Sequence, residues 1–458
     1  MSLSKLHPAF KSQMLEELGP VDYQLFEESL EQESISSIRL NREKLLSSPF
    51  ASKSIPWSQE GFWLEKRPQF TLDPLFHAGG YYVQEASSMF IQHILESLSI
   101  PKGLYLDLAA APGGKSTLLS SYLGNEGVLV ANEVIQSRTQ ILKENLIKWG
   151  LGNSIVTNND PAHFESLEGL FDLVLIDAPC SGEGMFRKDP TARKEWSPDH
   201  VKLCSSRQQR ILDQAGALVK GGGYLLYSTC TFNKEENEEM IRFLTSEFAY
   251  EPVRISLDSS WNIKESILST DEGDFYGYRF YPHRVQGEGF FVSVLKRPED
   301  AYSNEPKKPK DFKHPFLKEI AERESNQLAE ELGFENKTFY QLNDTFFCFP
   351  EMWKTHFDYI SQNLNIRYFG TEIGKKQGKN WIPSHDWAVS ILPKPSYPQL
   401  ELTKEQALNF FRKKDLELEY ESEGWILLTY QQLPIGWIKN LGNRINNYYP
   451  KDWRIRNL

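Results

Sequence analysis

Between residues 103 and 244 short apolar runs alternate with amphipathic stretches, and this alternation constrains the fold more than any other feature of the chain. The runs Leu104–Leu108, Val128–Asn132, Ser154–Thr157, Leu173–Asp177 and Tyr224–Ser228 have the length of buried strands. Between them, Ser116–Tyr122, Ser137–Trp149, Lys202–Val219 and Lys234–Leu244 have helical spacing. Strand and helix in strict turn give a parallel sheet with helices on both faces, an α/β doubly wound, Rossmann-like architecture. A last apolar run, Gly289–Leu295, is expected to close that sheet. Ligands of such sheets bind beyond the carboxyl ends of the strands, so those ends are where function is sought.

The 458 residues exceed what one core usually supports, and further domains are expected. Residues 1–75 read as mostly helical, with apolar spacing through Met14-Leu15, Leu18 and Leu25-Phe26. The sheet-forming domain is expected over 76–297 and a Pro- and Lys-rich linker over 298–311. A small mixed unit follows over 312–375. Residues 376–458, rich in Trp and Tyr, read as a small β domain whose clearest hairpin joins Gly424–Tyr430 to Ile435–Lys439. There is no apolar run of signal-peptide type at the N-terminus and no stretch near the roughly 18 residues of a membrane span, so a cytoplasmic location without membrane contact is expected. The formal charge of −11 argues against indiscriminate binding to phosphate, although a specific RNA partner is compatible with it.

The first strand runs into Ala109-Ala110-Ala111-Pro112-Gly113-Gly114-Lys115. Small residues and glycines let backbone approach a ligand at the N-terminus of the next helix. The pattern is not G-x-G-x-x-G, and Pro112 stands in the turn, so a nicotinamide cofactor fits poorly. Acids recur at or after the strand ends, at Asp107, Glu133, Asp160 and Asp177. An acid after the second strand suits ribose hydroxyls and one after the third suits an adenine amino group. Carboxylates facing a cation match the sulfonium of S-adenosylmethionine better than they match a triphosphate.

Four cysteines are present, Cys180, Cys204, Cys230 and Cys348, without C-x-x-C or zinc-type spacing, and neither disulfides nor a metal site are expected. Two of them fall just beyond the fourth and fifth strands, in Asp177-Ala178-Pro179-Cys180 and in Ser228-Thr229-Cys230-Thr231. Carbon 5 of cytosine is a poor nucleophile, and a thiolate added at carbon 6 makes it enamine-like. Asp177 is placed to hydrogen-bond ring nitrogen 3. Chemistry alone leaves open which cysteine attacks.

With these motifs in place the chain resembles the NOL/NOP/Sun family of RNA cytosine-5 methyltransferases. Ala109–Lys115, Asp177–Cys180 with Ser181-Gly182, and Ser228–Thr231 carry the resemblance, supported by Ser37–Asn41, His77–Glu85 and Arg279–Phe291. In length and C-terminal extension it is similar to bacterial RsmF-type enzymes of small-subunit ribosomal RNA, with a PUA-like RNA-binding module at the C-terminus. The resemblance implies that Cys230 is the nucleophile and Cys180 assists product release. It implies contacts to S-adenosylmethionine from Ala109–Lys115, Glu133, Asp160 and Asp177, with Arg138 a further candidate. Cys204 and Cys348 match no motif and are expected to be structural.

For RNA, two basic stretches stand out. One lies between the cysteine motifs: Arg187-Lys188, Arg193-Lys194, Trp196, Lys202, Arg207 and Arg210. The other holds Lys439, Arg444, Lys451, Arg454 and Arg456, interleaved with Tyr448, Tyr449 and Trp453. Rival readings are a DNA cytosine-5 methyltransferase using the Pro-Cys cysteine, and an RNA-binding ribosome-assembly factor with a vestigial cofactor site. The separate Cys230 motif weighs against the first. The intact loop, acids and cysteine pair weigh against the second.

Overall fold

A computed structural model describes residues 5–270, 273–306, 314, 316–378, 380–416, 418 and 422–456. Its centre is a ten-stranded sheet. Strands β1 (Leu104–Asp107), β2 (Val128–Asn132), β3 (Ser154–Thr157), β4 (Phe171–Asp177) and β5 (Val219–Thr229) are parallel and stand in the order β3-β2-β1-β4-β5. β1 and β4 are neighbours although two strands separate them in sequence, which opens a crevice at their carboxyl ends. The interleaved helices are α1 (Gly114–Leu123), α2 (Gln136–Trp149), α3 (Pro198–Ala215) and α4 (Glu238–Phe248). β1, β2 and β3 are buried along their whole length, as expected of central strands covered on both faces.

The sheet continues past the expected last strand. A hairpin of β6 (Lys264–Thr270) and β7 (Gly273–Phe280) lies outside β8 (Phe290–Lys296), and all three run antiparallel. The apolar run read as closing the sheet is therefore an inner strand, and Lys264–Thr270 and Gly273–Phe280 extend the edge. The opposite edge is capped by β9 (Ile366–Phe369), which pairs antiparallel with β3. The 312–375 segment thus contributes a strand to the central sheet, while its other strands join a separate five-stranded sheet with Thr371–Gln377 and Asn380–Pro383. Of the expected linker, residues 307–311 lie outside the described residues. Before them, Gly221 N donates to Ser303 Oγ and Asn304 N to Gly169 O, so that stretch is docked on the sheet domain.

At the N-terminus the expected helix spans Pro8–Ser29, broken at Gly19. Beside it, residues 37–83 form a four-stranded antiparallel sheet that helical apolar spacing did not signal. Phe10 and Phe26 of the helix pack with Phe186, Trp196, Phe232 and Tyr281, which places the helix over the loops that follow the two cysteine motifs. In the C-terminal sheet, Gly424–Tyr430 pairs with Leu433–Asn440 as the expected hairpin. No helix among the described residues is long and apolar enough to cross a membrane.

Candidate active site

β1 delivers Asp107 and β2 delivers Asn132 to the crevice, and the turn 109–115 bridges them. Ala110 N donates to Asn132 O (2.8 Å), which pins the turn to the second strand. Gly113 has φ +112°, a left-handed conformation where a side chain is strained, and a Cβ there would press on Leu142. Arg138 of α2 donates to Ala111 O (2.6 Å) and Asn145 to Pro112 O (2.8 Å), so the following helix grips the turn from outside. From the N-terminal sheet, Arg39 reaches Gln84 Oε1 (2.9 Å) and Thr117 Oγ1 (2.6 Å) and lies over the Trp149 ring. That single buried guanidinium ties the N-terminal strands to the first turn of α1.

These elements enclose a cleft of about 450 Å³. Asp107, Ala109, Ala110, Ala111, Pro112, Gly114, Lys115, Arg138, Asp177 and Cys230 line it. Asp107 is buried. Its Oδ2 accepts from Ser116 Oγ (2.7 Å), and its Oδ1 has no hydrogen-bond partner among the described residues. Burial pushes its carboxyl up to about 7; Asp177 and Glu133 add to this, while Ser116 and Lys115 oppose it. A buried acceptor without a donor is costly, and a cationic or donating ligand in the cleft would remove that cost. The cleft thus fits a group such as S-adenosylmethionine.

Lys115 Nζ lies 2.7 Å from Asp177 Oδ2 and 5.4 Å from the Phe290 ring centroid. Burial alone would lower the Lys115 ammonium, but Asp177, Asp107 and Cys230 outweigh it and hold the group above its ordinary value. The other oxygen of Asp177 accepts from Ser228 Oγ (2.8 Å). Asp177 is therefore fixed from both sides.

The parallel pairing of β4 with β5 sets Asp177 opposite Ser228, so the residues two or three further on also meet. Cys180 Sγ and Cys230 Sγ are 3.2 Å apart, and both thiols are free. Hydrogen bonding to Cys230, burial and the nearby Glu236 carboxylate all push the Cys180 thiol well up, so Cys180 keeps its proton. Cys230 lines the cleft, and Cys180 is its immediate neighbour across the two strand ends.

Three other expected residues stand back from the cleft wall. Gly113 shapes the turn. Glu133 accepts from Ile135 N (2.9 Å) and pairs with Arg138 at 3.5 Å, while Asp160 caps a short turn through Ala162 N (3.1 Å). Cys204 and Cys348 are buried, Cys348 within the apolar core of the five-stranded sheet.

Residues not singled out by their own chemistry complete the wall, notably Tyr82, Glu85, Glu288 and Phe290. Their signal was present in the His77–Glu85 and Arg279–Phe291 blocks, without any indication of what those blocks do. The basic loop between the cysteine motifs requires a correction. Arg187 is buried, bonds Glu288 Oε2 (3.0 Å) and donates to Gly287 O (2.6 Å). Arg193 is buried on Phe186 O and Leu30 O, and Trp196 is core. Alternating charge in sequence does not distinguish an arginine that satisfies buried carbonyls from one facing solvent. Lys188, Lys194, Lys202, Arg207 and Arg210 remain exposed.

Residues 99–296 match the family model described as 16S rRNA methyltransferase RsmB/F. Residues 6–86 match the N-terminal domain of 16S rRNA methyltransferase RsmF, and 397–455 match the methyltransferase RsmF PUA domain. The ribosomal RNA small subunit methyltransferase F of Erwinia tasmaniensis is 31% identical, over 97% of this chain and 96% of its own. The enzyme of the same name from Salmonella agona is also 31% identical, over 97% and 95%. The chain belongs to the RsmF family. A methyltransferase homologue from Pyrococcus horikoshii of known structure is 29% identical, with a TM-score of 0.51 over 64% of this chain and 100% of its own. At 20% identity, NSun6 from the same organism, solved with the S-adenosylmethionine analogue SFG, shares the fold (TM-score 0.53, 64% of this chain and 99% of its own). As a member of the RsmF family the chain is an S-adenosylmethionine-dependent methyltransferase with an N-terminal domain, a Rossmann-like catalytic domain and a C-terminal PUA-like domain. The rival reading of a DNA cytosine-5 methyltransferase ends here.

Proposed function

We propose that this chain methylates carbon 5 of a cytosine in small-subunit ribosomal RNA through a covalent adduct on Cys230, with Cys180 assisting release. The observation that carries the reading is the pair of sulfurs 3.2 Å apart at the cofactor cleft, with Cys230 among the residues that line it. The family supplies the RNA, and the sulfur pair supplies the chemistry.

The Cys230 thiolate adds to carbon 6, and the electron pair of the 5,6 double bond moves to carbon 5 and the ring. Ring nitrogen 3 takes a proton shared with the Lys115–Asp177 pair, which takes it back on elimination. S-adenosylmethionine, when bound, supplies an electrophilic methyl group to carbon 5. A base then removes the carbon 5 proton. The electron pair of that bond re-forms the ring double bond, the carbon–sulfur bond breaks, and the thiolate returns to Cys230. The Cys180 S–H hydrogen-bonds the departing sulfur and stabilises the thiolate as it forms, keeping its own proton. The turn 109–115, Asp107 and Asp177 hold the cofactor, with Glu133 and Asp160 serving its ribose and adenine from the strand ends once their local bonds exchange. The target base has to leave its stack to reach the Cys230 sulfur in the cleft, so a flipped or single-stranded cytosine is the substrate.

The test is the product. Small-subunit RNA and assembled subunits from a strain lacking the enzyme are incubated with it and S-adenosylmethionine, digested to nucleosides and analysed by mass spectrometry. 5-Methylcytidine is the expected product. A methyl group on any other atom, or none despite measured cofactor binding, overturns the proposal; the second outcome points to an assembly factor.

A further inference from the structure

Neither sulfur is positioned by its own strand alone. β5 is followed by Thr231–Asn237, which turns back beneath both cysteine loops before α4 begins. Two consecutive side chains at the end of this turn, Glu236 and Asn237, are both completely buried. Glu236 Oε1 accepts from Ser181 N (2.8 Å), the residue after Cys180, and from Gln208 Nε2 (3.1 Å). The same Gln208 amide donates to Pro179 O (3.0 Å), the residue before Cys180. Glu236 and Gln208 therefore hold the chain on both sides of Cys180. Asn237 does the same for Cys230, because its Oδ1 accepts from Thr229 Oγ1 (2.6 Å) and its Nδ2 donates to Thr231 O (3.0 Å).

Two further contacts join the brackets. Ser181 Oγ and Thr231 Oγ1 are 2.9 Å apart, and Gly184 N donates to Cys230 O (2.8 Å). Tyr227 of β5 donates to Glu236 O (2.6 Å), which anchors the Glu236 backbone to the sheet. Burial raises the Glu236 carboxyl to about 7, as expected of a group kept for its hydrogen bonds at the expense of its hydration.

We propose that Glu236 and Asn237, with Gln208, form a positioning clamp that sets the distance and aim of Cys180 and Cys230 relative to one another. The clamp rests on the reading of the two cysteines as nucleophile and release group. None of its three side chains lines the cofactor cleft. It acts only through the loops it holds, so its loss separates the sulfurs while leaving cofactor binding intact. A displacement of about 1 Å at a reacting group costs on the order of 100-fold in rate.

The test uses the full chain with Glu236→Gln and Asn237→Asp, each of which keeps side-chain volume and part of the hydrogen bonding. Two quantities are read: kcat and the S-adenosylmethionine KM for methylation of small-subunit RNA, and the rate at which diamide links Cys180 to Cys230 without RNA. In that reaction the two thiols lose two protons and two electrons to diamide, and the product is located by peptide mass. The expected result is a fall in kcat of about 10- to 100-fold with KM within about 2-fold of wild type, and a disulfide rate slowed at least about 10-fold. Wild-type disulfide rates in both variants, or retained kcat, overturn the clamp. If Glu236→Gln does not fold, Gln208→Met, which removes the bonds to Pro179 O and Glu236, takes its place under the same criteria. Failure of the underlying cysteine reading is separately visible, as wild-type methylation by Cys230→Ala; the disulfide rates test the clamp in that case too.

Discussion

Asp107 gives the sharpest prediction about the cofactor site. It is buried with one oxygen unpartnered, and its carboxyl is pushed from an ordinary 3.8 up to about 7. The native state thus binds a proton that the unfolded state has released over the interval between those values. Stability falls with rising pH wherever the native state binds more protons, so this group is neutral toward stability below about pH 4 and increasingly destabilising up to about pH 7. The cost levels off above pH 7. At 1.36 kcal/mol per pH unit, three units make this about 4 kcal/mol when the cleft is empty.

Asp107→Asn removes the titration. Its side-chain oxygen still accepts from Ser116, while its new amide lacks an acceptor, at a cost of about 1–3 kcal/mol that does not vary with pH. The stability difference between variant and wild type should therefore move by about 3 kcal/mol in favour of the variant between pH 4.5 and pH 8. Chemical denaturation of both proteins across that range measures it, since titrating groups that do not interact with Asp107 cancel in the difference. Cationic S-adenosylmethionine should abolish most of the shift in wild type by stabilising the Asp107 carboxylate. A difference that stays flat across the range would refute the reasoning, because it would mean that the carboxyl titrates as it does in the unfolded chain.

Arg187→Ala should destabilise the protein by about 3–5 kcal/mol in urea denaturation, because it leaves the Glu288 carboxylate buried without its partner, whereas Arg187→Met with Glu288→Leu should recover most of that loss. Retained stability in the single variant would contradict the buried pairing. Replacing the exposed Lys451, Arg454 and Arg456 together by alanine should weaken RNA binding and flatten the salt dependence of log K by about 2, at roughly 0.7 per phosphate contact on single strands. An unchanged slope in filter-binding titrations at several salt concentrations would remove the C-terminal tail from the interface.

The sequence carried the sheet and its cleft because both depend on local patterning. Five apolar runs and a small-residue turn prescribe β1–β5 and the crevice between β1 and β4, and two cysteines two or three residues beyond the paired Asp177 and Ser228 must then meet. What patterning could not carry is contact between distant segments. β9, Ile366–Phe369, is a short run that gains its place only by pairing with β3, more than 200 residues earlier. Arg187 and Arg193 look like surface charges until Phe10 and Phe26 cover their loop. Of the C-terminal aromatics, some expected to face RNA and some to form core, Tyr449 is the core residue, packed against Phe410, Phe411 and His385, while Tyr448 is exposed. Glu236 and Asn237 offered no spacing signal at all, since their role exists only once two strand ends lie side by side.

The central claim is that one sulfur attacks and the other releases, and a denaturing gel tests it most directly. Wild type, Cys180→Ala, Cys230→Ala and the double variant are each incubated with small-subunit RNA and S-adenosylmethionine. The account predicts a protein–RNA band that accumulates with Cys180→Ala, because attack proceeds while release stalls, and that vanishes when Cys230 is also replaced. A trapped band with Cys230→Ala instead would contradict it and reverse the two roles.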